Sequence, residues 1–302
     1  MSDLALSKAC TALDPIQHML STDVGIGLKP EHFKEILQFL PELGFFEIHA
    51  ENYMVDGGPL HFYLSKIREH YPLSIHGVGL SIGAQAPVDE AHLDRLNLLL
   101  NRYQPELFSE HLAWSTHQGH YLNDLLPVPY TQQSLKHICE QVDHVQTRLG
   151  RRMLLENPAT YVEFDNSDMT EEVFITEIIK TTGCGLLIDI NNVYVSCINH
   201  HRDPLGYIQA LPLTAVGEIH LAGFATDQDS DGSPLLIDSH DSEVAAPVWN
   251  LYQKALQLMG PRPTLLERDG NVPGLAVLHE EAKQAKVFLM IQAEQQLRSP
   301  YA

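Results

Sequence analysis

Several chemical devices are missing from this chain, and each absence narrows what it can do. No apolar run approaches the roughly 18 residues that a membrane-spanning helix needs. The N-terminal stretch MSDLALSKACTALDPIQHMLSTD carries Asp3 and Asp14 and has neither a basic start nor a continuous apolar centre, so no secretory signal is expected and a cytoplasmic location is the default expectation. There is no G-x-G-x-x-G and no G-x-x-x-x-G-K-[ST], which removes the usual dinucleotide and nucleotide phosphate cradles. The four cysteines, Cys10, Cys139, Cys184 and Cys197, are scattered without a C-x-x-C pair and read as free thiols rather than as bridges or a thiolate metal site. Basic residues are few: 19 against 39 acidic ones, a formal charge of −20, and no cluster denser than Arg148, Arg151 and Arg152. A field of that sign repels phosphate backbones, so nucleic acid is not expected as a partner, and without a long apolar run no membrane is expected either.

What is present is a globular composition, 44% hydrophobic over 302 residues, with 17 histidines. That histidine content is high for the length and is the first chemical hint. No linker, charge run or low-complexity segment divides the chain. One domain is expected over 24–292, with an N-terminal extension (1–23) and a C-terminal tail (293–302).

Eight apolar runs read as strands: GIGL (25–28), FFEIHA (45–50), LSIHG (73–77), LFSEHLAW (107–114), RMLLEN (152–157), GLLIDI (185–190), GEIHLAG (217–223) and PTLLER (263–268). Between and after them lie helical stretches at 30–40, 59–70, 89–102, 131–149, 168–180, 203–211, 241–259 and 274–292. Strand and helix alternating eight times predict an α/β fold, a single-domain (β/α)8 TIM barrel. The alternative, an open doubly wound sheet, would usually carry the glycine-rich turn that is missing here.

On that frame the polar residues line up. The third to eighth strands end in His76, His111, Glu156, Asp189, His220 and Glu267, each a metal-ligand type of residue. Parallel barrel strands end at one face, so side chains far apart in sequence can converge there. Carboxylates gathered at one mouth repel each other, and cations remove that cost. Three carboxylates with three or more imidazoles suit two or three divalent ions, and the lack of cysteine among them favours iron, manganese or zinc.

Two further segments extend the set. In DINNVYV, Asn192 follows Asp189 by three residues, where the chain is expected to turn into a loop; it reads as a ligand or as a turn amide. After the seventh strand, LLIDSHD brings Asp238 and His240 close enough to approach one ion together, and Asp241 reads as the N-cap of the next helix. Glu110 and His111 are neighbours in a strand and point to opposite faces, so His111 is the expected ligand with Glu110 behind it, unless a bulge admits both. Asn199, His200 and His201 read as a solvated or substrate-facing loop. Asn52, Asn157 and Arg268 either orient ligands, hold substrate, or tie strand ends to loops; Tyr53, Trp114 and Tyr194 form a pocket wall or plain core.

The segments ENYM (51–54), HGVGLSIG (76–83), SEHLAW (109–114), LLENPATYV (154–162), GCGLLIDINNVYV (183–195), EIHLAGF (218–224), LIDSHD (236–241) and LLERDGNVP (265–273) resemble the multinuclear non-haem iron-dependent oxidase family, to which the oxidase of methanobactin biosynthesis belongs. The likeness runs from about residue 24 to 285. It implies a TIM barrel of the xylose isomerase and endonuclease IV type holding two or three irons as Fe2+ or Fe3+. Carried over motif by motif from endonuclease IV, His76, His111, Glu156, Asp189, His220, Asp238, His240 and Glu267 fall on metal positions. Asn192 stands where that enzyme has a histidine, and so offers one ion a weaker donor. Asp189, Glu156 and His240 are the residues expected to serve catalysis.

The family's chemistry implies oxidation of cysteine in a ribosomally synthesised precursor peptide, using O2 and beginning at the cysteine β-carbon. A small partner protein that presents the peptide is implied as well. Two other readings stand beside it. One is a divalent-metal hydrolase or isomerase of the same barrel class, acting on a phosphodiester or a sugar with zinc or manganese; the other is a non-catalytic metal- or peptide-binding scaffold.

Overall fold

The computed structural model describes residues 22–298. Its strands are β1 (Val24–Gly27), β2 (Phe45–His49), β3 (Leu73–Gly77), β4 (Leu107–His111), β5 (Trp114–His117), β6 (His120–Leu126), β7 (Leu154–Glu156), β8 (Gly185–Asp189), β9 (Val216–Leu221), β10 (Ala225–Gln228), β11 (Pro234–Ile237) and β12 (Thr264–Leu266). Eight of them, β1, β2, β3, β4, β7, β8, β9 and β12, close into a barrel in that order, each parallel to its neighbours. The helices are α1 (Phe33–Phe39), α2 (Pro59–Arg68), α3 (Glu90–Tyr103), α4 (Gln132–Leu149), α5 (Glu171–Thr182), α6 (Ile190–Asn199), α7 (Pro204–Ala210), α8 (Ala246–Met259) and α9 (Leu275–Arg298). Among the described residues, no helix is long and apolar enough to cross a membrane. The expected TIM barrel is the fold.

Side chains alternate across a strand, and the two faces of this barrel separate cleanly. Val24, Ile26, Phe46, Ile48, Ile75, Phe108, Leu155, Leu186, Ile188, Ile219 and Leu266 face outward into the main core under the helices. The intervening positions face inward. Phe45, Leu107, Leu154, Leu187 and Leu265 form a separate apolar plug inside the barrel. A Cβ on Gly25 would lie 2.6 Å from the Phe45 ring, so glycine is what lets that ring fill the floor.

Three local readings of the sequence differ from the structure. LFSEHLAW does not form one strand: β4 stops at His111 and Trp114 opens an antiparallel hairpin of β5 and β6. DINNVYV does not turn into a loop. Asp189 accepts the backbone N–H of Asn192 at 2.6 Å as an N-cap, which starts α6 straight off the strand. Asp241 caps no helix, because α8 begins at Ala246 with proline in its first turn. Asp241 instead accepts from Ser239 Oγ at 2.6 Å and Asn271 Nδ2 at 3.3 Å, bracing the loop that carries His240.

Candidate metal centre at the barrel mouth

Above the apolar plug, the inward positions turn polar. Two residues beyond Phe45 comes Glu47, and two beyond that His49; the same step of two leads from Ser74 to His76, Ser109 to His111, Leu154 to Glu156, Leu187 to Asp189, Glu218 to His220 and Leu265 to Glu267. The uppermost layer is therefore a ring of histidines and carboxylates held by strand ends.

Within it, candidate ligand atoms gather into overlapping groups. His76, His111 and Glu156 form one, Glu156, Asp189 and His220 a second, and Asp189, His240 and Glu267 a third, the atoms of each lying within 4.8 Å of one another. Glu156 belongs to the first two groups and Asp189 to the last two, so the three groups share carboxylates. Glu156 Oε2 is 3.3 Å from His76 Nε2 and 3.2 Å from His111 Nδ1. His220 Nδ1 is 3.2 Å from Glu267 Oε2, and His240 Nδ1 is 3.5 Å from the same oxygen.

These contacts are close without being satisfied. Glu156 Oε2, Asp189 Oδ2, Asn192 Oδ1 and both ring nitrogens of His220 are buried and have no hydrogen-bond partner. Donor atoms about 3 Å apart but misaligned for hydrogen bonding are what several ligands facing one ion look like.

The electrostatics match. Burial, reinforced by Asp189 and Glu267, pushes the Glu156 carboxyl well above the usual carboxylate range, and burial lifts Asp189 to about 7. Burial also pulls His76 well below the ordinary histidine value and His111 down to about 4. For His220 and His240 burial acts in the same direction but is outweighed by carboxylates, Glu47 and Glu267 for the one and Glu267 and Asp238 for the other. Both imidazoles therefore titrate well above the usual range. In the opposite sense, burial acts to raise Glu267, but His240 and His220 hold it well below.

The remaining sequence candidates take varied places. Asn192 lines the mouth beside Glu156, donating Nδ2 to Glu156 Oε1 at 3.1 Å. Asp238 pairs with His240 Nε2 at 2.7 Å and accepts from Asn191 Nδ2 at 2.6 Å. Glu110 is buried behind β4, accepting from the backbone N–H groups of Leu80 and His111. Asn157 clamps the end of β8, accepting from the Asp189 N–H at 2.8 Å and donating to its carbonyl at 3.1 Å.

Arg268 turns away, forming a buried pair with Glu281 of α9 at 3.1 Å. Asn199 exchanges two hydrogen bonds of 2.9 Å with Leu236 and so anchors β11. Tyr194 stacks on Phe224. The Trp114 ring donates to the Pro127 carbonyl, and Tyr53 is buried against His61.

His240 sits in the left-handed region at φ 49°, a conformation unfavourable for a residue with a side chain. Its N–H bonds to the Gly223 carbonyl, and its own carbonyl accepts from Asp269 and Gly270, so the surrounding loops hold it there.

Four residues of this centre escaped the sequence reading. His49 reaches Glu267 Oε1 at 3.4 Å and Asp269 Oδ1 at 3.8 Å. Glu47 lies 3.3 Å from His220 Nε2, beneath the ring. Ser74 Oγ donates toward Glu47 Oε2 at 2.8 Å and Glu218 Oε2 at 3.2 Å, tying two almost fully buried carboxylates together. The signal was present: counting back two positions from a strand-end ligand finds Glu47 from His49 and Glu218 from His220, and the fourth residue, Asp269, lies two beyond Glu267.

The mouth opens into a cavity of about 440 Å³ lined by His49, His111, Asn192, Asp238, His240 and Glu267 below. Tyr121 and Asp124 of β6 and Tyr161 of the loop after β7 complete the lining.

The fold is similar to D-psicose 3-epimerase from Clostridium cellulolyticum, with a TM-score of 0.58 at 12% identity, covering 89% of this chain and 99% of that one. It is also similar to endonuclease IV from Thermus thermophilus, with a TM-score of 0.57 at 16% identity over 90% and 99%. In sequence, a UPF0276 protein of Bordetella bronchiseptica is 52% identical over 270 residues, 89% of this chain and 93% of that protein. One from Caulobacter vibrioides is 45% identical over 270 residues, 89% and 96% of the two chains. The sequence model of the RiPP precursor modification enzymes MbnB/TglH/ChrH, which act on ribosomally made peptides, matches residues 23–290. Matched over most of its length, the chain belongs to that enzyme family.

Proposed function

We propose that this protein is a multinuclear iron-dependent oxidase that uses O2 to modify cysteine residues of a ribosomally synthesised precursor peptide. The observation that carries the reading is the set of buried, unpartnered donor atoms at the mouth: Glu156 Oε2, Asp189 Oδ2, Asn192 Oδ1 and His220 Nδ1. Those atoms fit cations, and a set made of carboxylate, amide and imidazole without sulfur suits iron, with manganese and zinc as competitors.

In this reading His76, His111 and Glu156 would hold one ion, Glu156, Asp189 and His220 a second, and Asp189, His240 and Glu267 a third. Bound iron would supply Lewis acidity toward a thiol and electrons toward dioxygen.

The side chains have their own tasks. Glu156 and Asp189 each belong to two of these groups, so they would hold neighbouring ions close together. Asn192, whose Oδ1 has no partner, would offer an ion beside Asp189 a weaker donor than an imidazole. Asp238 accepts the Nε2 proton of His240, which leaves Nδ1 turned toward Glu267. Tyr121 and Tyr161, both exposed at the mouth, would lie against a bound peptide. The enzyme would work in the cytoplasm, with a small partner protein delivering the peptide.

The test is to load the protein with iron or with zinc and incubate each with a cysteine-containing peptide encoded beside its gene, with and without air. The expected result is a change in peptide mass that requires both iron and O2. Full turnover of a substrate by the zinc form without O2 would instead support a hydrolase or isomerase. Metal binding with no turnover under any condition would support a scaffold.

A further inference from the structure

The ring at the barrel mouth has one gap. Seven of the eight barrel strands end, inside the barrel, on or beside a histidine or carboxylate, from His49 on β2 round to Glu267 after β12. The eighth, β1, ends on Gly27. Neither backbone nor packing demands glycine there. Its φ lies outside the left-handed region, and an added Cβ would meet nothing nearer than Lys29 Cε at 3.4 Å. The missing side chain leaves room, and a second cavity of about 230 Å³ occupies it.

This cavity runs from the surface to the centre. It opens beside Pro30 and Asn52, which are exposed, and its floor is formed by Glu47, Leu265 and Glu267, all less than one-tenth exposed. His49 and Glu267 line both this cavity and the main mouth, so the two spaces share those side chains as a common wall. A peptide seated in the larger mouth would block that route to the ions while leaving the smaller one free. The smaller route is walled by Leu28, Tyr53 and Leu60, and its one cation, Lys29, is already paired with Asp269 at 2.6 Å. Such a passage suits a small uncharged molecule better than an ion.

We propose that the second cavity, held open by Gly27, is the passage by which dioxygen reaches the metal centre while peptide fills the main mouth. The proposal rests on the oxidase reading above.

The test uses the zinc-loaded protein, which is diamagnetic, and measures methyl relaxation by NMR under dissolved O2. The Leu28 and Leu265 methyls should relax faster with oxygen than those of Leu154 and Leu187, plug residues that do not line the cavity and are comparably buried. Gly27→Leu should abolish that difference, and in the iron-loaded enzyme it should raise KM for O2 while leaving KM for peptide unchanged. Leu60→Trp, which fills the cavity from α2, should do the same and keeps the test open if Gly27→Leu does not fold.

If the wild-type methyls show no excess relaxation, or if a folded, plugged variant keeps the wild-type KM for O2, the passage is refuted. An iron-loaded wild type indifferent to O2 would refute the oxidase reading itself, so the two failures are distinguishable.

Discussion

Acidification from about pH 7 to about pH 5 should strip metal from this protein, and the size of the effect follows from the ring. A bound cation needs Asp189 ionised and His220 and His240 with a free nitrogen. Without metal, burial lifts Asp189 to about 7, and neighbouring carboxylates keep His220 and His240 protonated well above the usual range. Protons therefore compete with metal, and the sign is fixed: affinity rises with pH and weakens as pH falls below the metal-free value. For Asp189 alone the competition approaches about 1.4 kcal/mol per pH unit well below 7, or roughly fiftyfold between pH 7 and pH 5.

Protons on His220 and His240 add in the same direction. His76 and His111 hardly contribute, since burial already keeps them neutral, with His111 down at about 4. Isothermal titration of the metal-free protein with zinc, in buffers of different ionisation enthalpy, reads both the affinity and the protons released. An affinity flat between about pH 5 and pH 7, with no proton release, would refute the electrostatic reasoning.

Other consequences are as concrete. Glu47→Ala removes the carboxylate 3.3 Å from His220 Nε2 and should weaken metal binding by roughly 10–100-fold in a folded protein; unchanged affinity would mean that Glu47 does not orient His220. Gly25→Ala should lower stability toward urea by about 1–3 kcal/mol, because its methyl would press on the Phe45 ring, while metal content at saturation stays the same. Cys184 and Cys197 are buried, and burial pushes their thiols up to about 11 and about 12, so iodoacetamide at neutral pH should leave both unlabelled by mass spectrometry until the protein is denatured. Rapid labelling of either in the folded protein would contradict that packing.

Much of this was legible in the residues. Runs such as GLLIDI and GEIHLAG alternate with helical stretches and give the barrel, and the strand-end residues from His76 to Glu267 do meet at one mouth. What escaped notice had physical causes. Glu47 and Glu218 sit mid-strand in apolar surroundings, where a lone carboxylate reads as a surface residue until the step of two places it inside the barrel. His49 lies in FFEIHA beside aromatic residues, where a lone histidine reads as a hydrogen-bonded core residue. The helix α6 starts without a connecting loop, because Asp189 itself serves as its N-cap, so one residue is both a strand-end candidate ligand and a helix start. Asp241 failed as a cap because the braced turn around His240 uses its carboxylate and delays α8 to Ala246.

The central claim is that the buried, unpartnered atoms of this ring exist to hold iron. Anomalous diffraction at the iron edge from crystals of the iron-loaded protein tests it most directly. The account requires two or three peaks, bounded by His76, His111 and Glu156, by Glu156, Asp189 and His220, and by Asp189, His240 and Glu267. Crystals with no peak at the barrel mouth, and ordered water in its place on Glu156 Oε2 and Asp189 Oδ2, would contradict it.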